Sequence, residues 1–327
     1  MISGRSSTID GVLIGHAHNT DTLTGCTVLI FPSGTACGVD VRGGAPGTRE
    51  TDLLAPHATV QHIDAICLAG GSAFGLAATT GVMSWLRERG RGFETPIARV
   101  PIVPSAVLFD LALGRADSWP DADMGYAACV SAQHSVEEGC VGAGIGASVG
   151  KLLGVSQSTK SGLGYVRRML VGGVSIAALA VTNAFGDVCR NSDATLLAGA
   201  RLVGGGFANT NQMLCEQGLG NDQLVFSGGN TTLAVVMTDA KLDKAGCTTL
   251  AIMAQDALAR TIRPVHTAFD GDVVFAAATG VHEAPHSIIL GTLAAQVLAE
   301  AIERSVHMAT SMGGLPAASD LVIRDAG

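Results

Sequence analysis

The run Ser227-Gly228-Gly229-Asn230-Thr231-Thr232-Leu233-Ala234-Val235-Val236-Met237 constrains this chain more than any other. A glycine pair leads into Asn230, two threonines follow, and the apolar residues after them read as a buried strand. Taken alone, the stretch is a tight turn into a core strand. It also has a second reading. A hydroxyl on the first residue of a buried strand, reached through flexible glycines, stands where a backbone bond can be cut. Cleavage between Asn230 and Thr231 gives Thr231 a free amine beside its own hydroxyl. Such an amine is one recognised base for a threonine nucleophile.

A chain of 327 residues is long enough for one large domain or two ordinary ones. Hydrophobic residues make up 47% and charged ones 15%, a balance that demands a large core and suits a layered α/β protein assembled as an oligomer. The formal net charge of -8 and the lack of any basic run argue against nucleic acid as a partner. Glycine, at 43 residues, follows no collagen-like period; it gathers at strand ends and turns, where close backbone approach needs it. None of the eight cysteines forms a CxxC pair, and several fall within apolar patterns as small hydrophobes. The opening Met-Ile-Ser-Gly-Arg-Ser-Ser has no apolar signal core, and no 18-residue apolar run reads as a membrane span. The expectation is a soluble cytoplasmic protein with reduced thiols.

Along the chain, turn residues punctuate a β-meander with strands at Gly11 to Gly15, Cys26 to Phe31 and Ala36 to Val41. The charged loop 45–62, with Arg49, Glu50, Asp52 and His57, is either solvated surface or pocket lining. Ala65 to Ala69 reads as a buried strand, followed by a helix from Ser72, as N-cap, to about Glu88, stopped by Gly90. Between 91 and 140 prolines break the pattern, with short helices expected at Ser105 to Leu113 and Asp121 to Val130. Gly162 to Arg168 and Val171 to Val181 form an expected hairpin that ends near Asn183. Residues 190–229 carry few periodic signals and read as a long linker. A helix capped by Asp243, a strand at Val273 to Ala278 and a last helix from about His286 to Val306 complete the pattern. Sheets flanked by helices in this way predict two packed sheets with helices outside.

Several separated segments carry further chemistry. Val141-Gly-Ala-Gly-Ile-Gly-Ala-Ser-Val-Gly-Lys151 looks like a phosphate loop, but Leu152 stands where that loop needs Ser or Thr, so ATP binding is rejected. Lys151 is then a lysine delivered by a glycine-rich segment, or simply a surface lysine. Asn183 either makes a turn or donates its amide to a developing oxyanion. Asp270-Gly271-Asp272 is a solvated turn, a cation site or a pair of acids at the site. His266 reads as a structural, hydrogen-bonded histidine rather than a base. No histidine cluster accompanies the aspartates, so neither a metal nor a cofactor is expected.

Together, Gly-Asn230-Thr231-Thr232, His266-Thr-Ala-Phe-Asp270-Gly-Asp272-Val-Val-Phe275, Lys151 after its glycines, Asn183, Ala65 to Gly75 and Val41-Arg-Gly-Gly44 resemble the DmpA-type aminopeptidase family. That family includes L-aminopeptidase/D-esterases and β-peptidyl aminopeptidases; within it the pattern most resembles the nylon-oligomer hydrolases (6-aminohexanoate-oligomer endo-hydrolases). The resemblance runs from about residue 10 to 306. It implies an Ntn-hydrolase-like, four-layer αββα sandwich. It also implies a single self-processing domain cut into a larger α fragment, 1–230, and a smaller β fragment, 231–327, commonly assembled as a tetramer. Carried over by motif, Thr231 is the nucleophile, Asn183 supports the oxyanion, and Lys151, Asp270 and Asp272 surround the nucleophile. A serine and a glutamate hold the paired acidic positions in the aminopeptidase branch, so the two aspartates lean toward the nylon branch. Phe109 departs from the pattern, standing near where the nylon enzymes carry a tyrosine.

The implied activity is hydrolysis of amide bonds in short peptides or ω-amino-acid oligomers through a Thr231 acyl-enzyme. The alternatives are an aminopeptidase acting on N-terminal residues or amino-acid amides and esters, an acyltransferase of the ornithine-acetyltransferase type, and a non-catalytic oligomeric member of the fold. Asn230-Thr231-Thr232 does not match the Ala-Thr-Met setting of the acyltransferases.

Overall fold

A computed structural model describes residues 6–216 and 229–321. The chain builds two mixed sheets packed face to face. The first contains β1 (Leu13–Asn19), the N-terminal half of β2 (Thr24–Val41), β3 (Ile63–Ala69) and β4 (Ser105–Val107), with Thr48–Arg49 at its edge. The second runs β5 (Leu163–Met169), β6 (Ser175–Asn183), β7 (Thr231–Ala240), β8 (Val273–His282) and then the C-terminal half of β2. β7 and β8 are parallel; β8 pairs antiparallel with β2.

Alternation along the strands assigns each side chain to a layer. In β6, β7 and β8 the odd-numbered Leu179, Val181, Leu233, Val235, Val273 and Phe275 join Leu29, Phe31, Ile66 and Leu68 of the first sheet in the core between the sheets. The even-numbered Ala178, Ala180, Ala234, Val236, Val274 and Ala276 face the other way. They pack under the helices Lys244–Ala254, Asp256–Thr261 and Ser287–His307. On the far side, Cys26, Val28, Ala65 and Cys67 pack under the helices Ala78–Glu88 and Ala122–Val130. The result is the expected αββα sandwich. Fully burying each large aliphatic side chain contributes about 1.5–3 kcal/mol, so three such cores account for the apolar composition.

Local departures from the sequence reading have physical causes. Cys26 to Phe31 and Ala36 to Val41 are not separate strands: β2 passes through Pro32-Ser33-Gly34 and serves both sheets. Ser105 to Leu113 is not a helix. Ser105, Ala106 and Val107 are buried between β3 and Thr48–Arg49, and pairing on both sides outweighs their helical propensity. Ser72 does not cap its helix; it stands in a left-handed conformation (φ 53°) at the start of a tight turn, and the regular helix begins at Ala78. Gly90 does stop that helix, at φ 65°. The stretch 190–229 is less featureless than its sequence: it holds the strand Leu196–Ala198 and the helix Thr210–Glu216, the latter held by buried Asp187, which accepts from Thr210 N–H and hydroxyl. Ser227 and Gly228, with the rest of 217–228, lie outside the described residues. Among the described residues no helix is long and apolar enough to cross a membrane.

Candidate active site

The sheet register places Asn183, at the end of β6, directly opposite Thr231, at the start of β7. Both are odd-numbered positions and face the space between the sheets, as their neighbours Val181 and Leu233 do. Thr231 is buried, and its hydroxyl donates to the Asn230 carbonyl oxygen at 2.6 Å. That oxygen also accepts from the Gly271 N–H at 2.8 Å, while Asn230 N–H donates to the Phe269 carbonyl at 3.1 Å. The carbonyl before Thr231 is therefore fixed by two donors, one of them its neighbour's hydroxyl.

Lys151 reaches the same place from the glycine-rich segment. Its Nζ donates to Asn183 Oδ1 at 2.8 Å and to the Asn183 carbonyl at 3.0 Å. Asn183 Oδ1 accepts a further bond from Ser148 N–H, and its Nδ2 donates to the Phe109 carbonyl at 3.0 Å. Phe109 follows the last strand of the first sheet, so this amide ties the two sheets together across the site. Burial pulls Lys151 down to about 7. Asp270 and Asp110 work against that shift, and Lys160 adds to it.

The two aspartates do different things. Asp270 accepts from the Thr267 N–H and hydroxyl and, at 3.4 Å, from Phe185 N–H. Burial, then the charge of Asp272, raise its carboxyl above the ordinary range. Asp272 accepts from Thr232 N–H at 2.7 Å through Oδ1 and from His266 through Oδ2. It shares the even-numbered face with Val274, the face turned away from the Thr231 side chain. Of the five expected residues, Lys151 and Asn183 are hydrogen-bonded to each other and Thr231 stands opposite Asn183 in the sheet register; Asp270 reaches Lys151 by charge, and Asp272 reaches Thr232 through its backbone N–H.

The sequence reading missed three contributors. Gly271 N–H was hidden because a backbone donor has no residue-type signature. Lys160 is buried, its ammonium donating to the Gly144, Ala147 and Ser161 carbonyls and bracing the loop that delivers Ser148 and Lys151. Asp110 is buried beside the site, accepts from Thr24 hydroxyl and Gly71 N–H, and is pushed up to about 6 by burial. A lone carboxylate directly after Phe109 in an apolar run was the available clue.

Phe109, Asp110, Leu113, Ser148, Lys151, Asn183 and Gly229 line a pocket of only about 10 Å³, room for one water at most. Larger surface pockets, of about 410 and 470 Å³, lie near Arg167 and Arg304 and near His62 and Arg91. Neither holds an expected site residue. Among the described residues no group of three or more His, Cys, Asp or Glu is placed to hold a metal.

Comparison with known proteins identifies the family and the fold. The profile described as Peptidase family S58 matches residues 7–318. An uncharacterized aminopeptidase of Mycobacterium tuberculosis is 41% identical, the match covering 96% of each chain. A 6-aminohexanoate-oligomer endohydrolase of Kocuria sp. is 32% identical over 89% of this chain and 83% of its own. In fold, the L-aminopeptidase D-Ala-esterase/amidase from Ochrobactrum anthropi, described as a variant of the Ntn-hydrolase fold, superposes with a TM-score of 0.70. It is 16% identical, with 98% of this chain and 90% of that chain covered. A Burkholderia sp. beta-aminopeptidase superposes with a TM-score of 0.65 at 20% identity, covering 96% and 92%. With a family match across almost the whole chain and relatives well above 30% identity, the protein is a member of peptidase family S58.

Proposed function

We propose that this peptidase-family protein is a self-cleaving amidohydrolase with Thr231 as nucleophile. The observation that carries the reading is the Thr231 hydroxyl held on the Asn230 carbonyl oxygen, with Gly271 N–H on the same oxygen. In the first reaction Thr231 Oγ attacks the Asn230 carbonyl carbon. Gly271 N–H takes the charge that develops on oxygen, where preorganised donors act most strongly. The Asn230–Thr231 C–N bond breaks, the hydroxyl proton ends on the Thr231 nitrogen, and an ester remains. Water hydrolyses that ester to an Asn230 carboxylate and a free Thr231 amine.

In the second reaction the amine is the base and the hydroxyl attacks a substrate amide. Lys151, its proton affinity brought near neutrality by burial and its Nζ held by Asn183, disfavours protonation of the new Thr231 amine when it is itself charged. Release of the substrate's amine leaves an acyl-enzyme, and water frees the acid. The substrates are short peptides or ω-amino-acid oligomers, and the working unit is an assembly, a tetramer, of processed fragments. Exposed Val281, Ile288 and Ile289 supply apolar surface for such assembly.

Intact-mass measurement after incubation tests the reading. Fragments 1–230 and 231–327 are expected from the wild type and none from Thr231→Ala. A full-length wild-type product, or amidase activity unchanged in Thr231→Ala, overturns it. Aminopeptidase action is a second reading, favoured by the higher identity of the mycobacterial relative named an aminopeptidase. Paired substrates with free and blocked N-termini separate the two: turnover of the free amine alone selects the aminopeptidase.

A further inference from the structure

His266 has no place in the reaction just described, yet its geometry is specific. It stands at φ 54°, a left-handed conformation that few residues other than glycine adopt. Two donors of this one residue converge on one oxygen: its backbone N–H lies 3.3 Å, and its ring Nδ1 2.8 Å, from Asp272 Oδ2. A carboxylate acceptor fixes the hydrogen on Nδ1. The other oxygen of Asp272 holds the Thr232 N–H at 2.7 Å. Asp272 is buried, and the His266 side chain is 19% exposed. An unbroken chain of bonds therefore runs from the imidazole through a buried carboxylate to the peptide that joins Thr231 to Thr232.

The consequence appears once the Asn230–Thr231 bond is cut, and in this the inference rests on the proposed function. Before cleavage, Thr231 is also held from its N-terminal side. Asn230 donates to Phe269 and accepts from Gly271. Cleavage disconnects those anchors from Thr231. A new strand terminus frays unless it is tied down. The bond from Asp272 to Thr232 N–H acts on the C-terminal flank of Thr231 and survives the cut. We propose that His266 is a positioning residue: by orienting Asp272 it clamps the Thr231–Thr232 peptide and keeps the new N-terminal threonine in register with Asn183.

Two substitutions separate a clamp from mere packing. Asparagine places an amide N–H near the position of Nδ1 and tolerates a left-handed backbone; glutamine places its amide near Nε2 instead. His266→Gln is expected to lower the kcat of the processed enzyme on an aminoacyl p-nitroanilide about tenfold to a hundredfold, with KM little changed. His266→Asn is expected to stay within about threefold of wild type, since it restores the one bond the clamp needs. Equal loss in both variants, or no loss in either, overturns the proposal.

A readout independent of activity is the Thr232 amide resonance in threonine-labelled protein. The carboxylate bond shifts it downfield in the wild type and in His266→Asn, and that shift is expected to be lost in His266→Gln. An unchanged Thr232 resonance in the glutamine variant also overturns the clamp. A wild type that never cleaves sinks the proposed function, and the resonance still decides whether His266 holds Asp272.

Discussion

Lys151 and Asn183 meet twice: the lysine Nζ lies 2.8 Å from the asparagine side-chain oxygen and 3.0 Å from its carbonyl oxygen. Asn183 is in turn the register partner of Thr231. This double contact explains how a buried lysine remains satisfied with no carboxylate among the described residues within bonding distance. It also brings the amine of Lys151 to the residue that faces Thr231 across the strands.

Lys151→Met is expected to slow self-cleavage by at least about a hundredfold, the usual contribution of a positioned acid or base. Time courses on denaturing gels measure it. Because burial lowers the lysine to about 7 from 10.5, the wild-type cleavage rate is expected to rise with pH through about 7. Stability follows the same titration. Between about 7 and 10.5 the unfolded lysine still binds its proton and the folded one does not, so the lysine's contribution rises with pH across that window. Lys151→Met removes this slope from a plot of melting temperature against pH. A slope equal to that of the wild type contradicts the burial argument.

Asn183→Asp places a carboxylate where the lysine now meets a neutral amide oxygen. An opposite charge at this distance favours the ammonium and raises its pKa by about 1–3 units. The pH at which cleavage reaches half its maximal rate is expected to move upward by at least about one unit. A profile that keeps its midpoint while losing amplitude shows that the asparagine acts only as a spacer.

Asp110→Asn tests the buried carboxyl beside the pocket. Its folded pKa of about 6 lies above the ordinary 3.8, so between these values the folded state holds a proton that the unfolded state has lost. The contribution of Asp110 is present in full below 3.8 and is lost as pH rises through 6. Asparagine, which cannot ionise, avoids that loss. The variant is expected to gain up to about 3 kcal/mol relative to wild type between pH 4 and 8, at about 1.4 kcal/mol per unit. Urea melts at both pH values measure it.

Gly125→Ala probes the packing of the outer helices rather than the site. A Cβ there meets the Ala78 carbonyl oxygen at 1.9 Å, and one at Gly81 meets the Ala122 carbonyl oxygen at 1.7 Å. Each glycine admits the backbone of the other helix. Alanine forces the helices apart, for about 1–3 kcal/mol and a fall of several degrees in melting temperature. An unchanged melting temperature means that the helices separate freely.

Much of the fold was legible because its alternation is clean. The apolar runs at Ala65 to Ala69, Thr231 to Met237 and Val273 to Ala278 became buried strands, and the helices near Asp121, Asp243 and His286 start where their caps are. The strand at Ser105–Val107 was not legible, since its pairing partners lie far along the chain and local propensity cannot report them. The candidate site divides in the same way. Residue types raised Thr231 as a candidate, and the family resemblance of the motifs added Lys151, Asn183, Asp270 and Asp272. Tertiary structure alone decided that Lys151 sits on Asn183 and that Asp272 faces His266 and the Thr232 backbone instead of the Thr231 hydroxyl. It alone placed the Gly271 N–H on the Asn230 carbonyl. The physical reason is that a side chain's identity is written in the sequence. Its proton affinity and its partner depend on burial and on register between strands tens of residues apart.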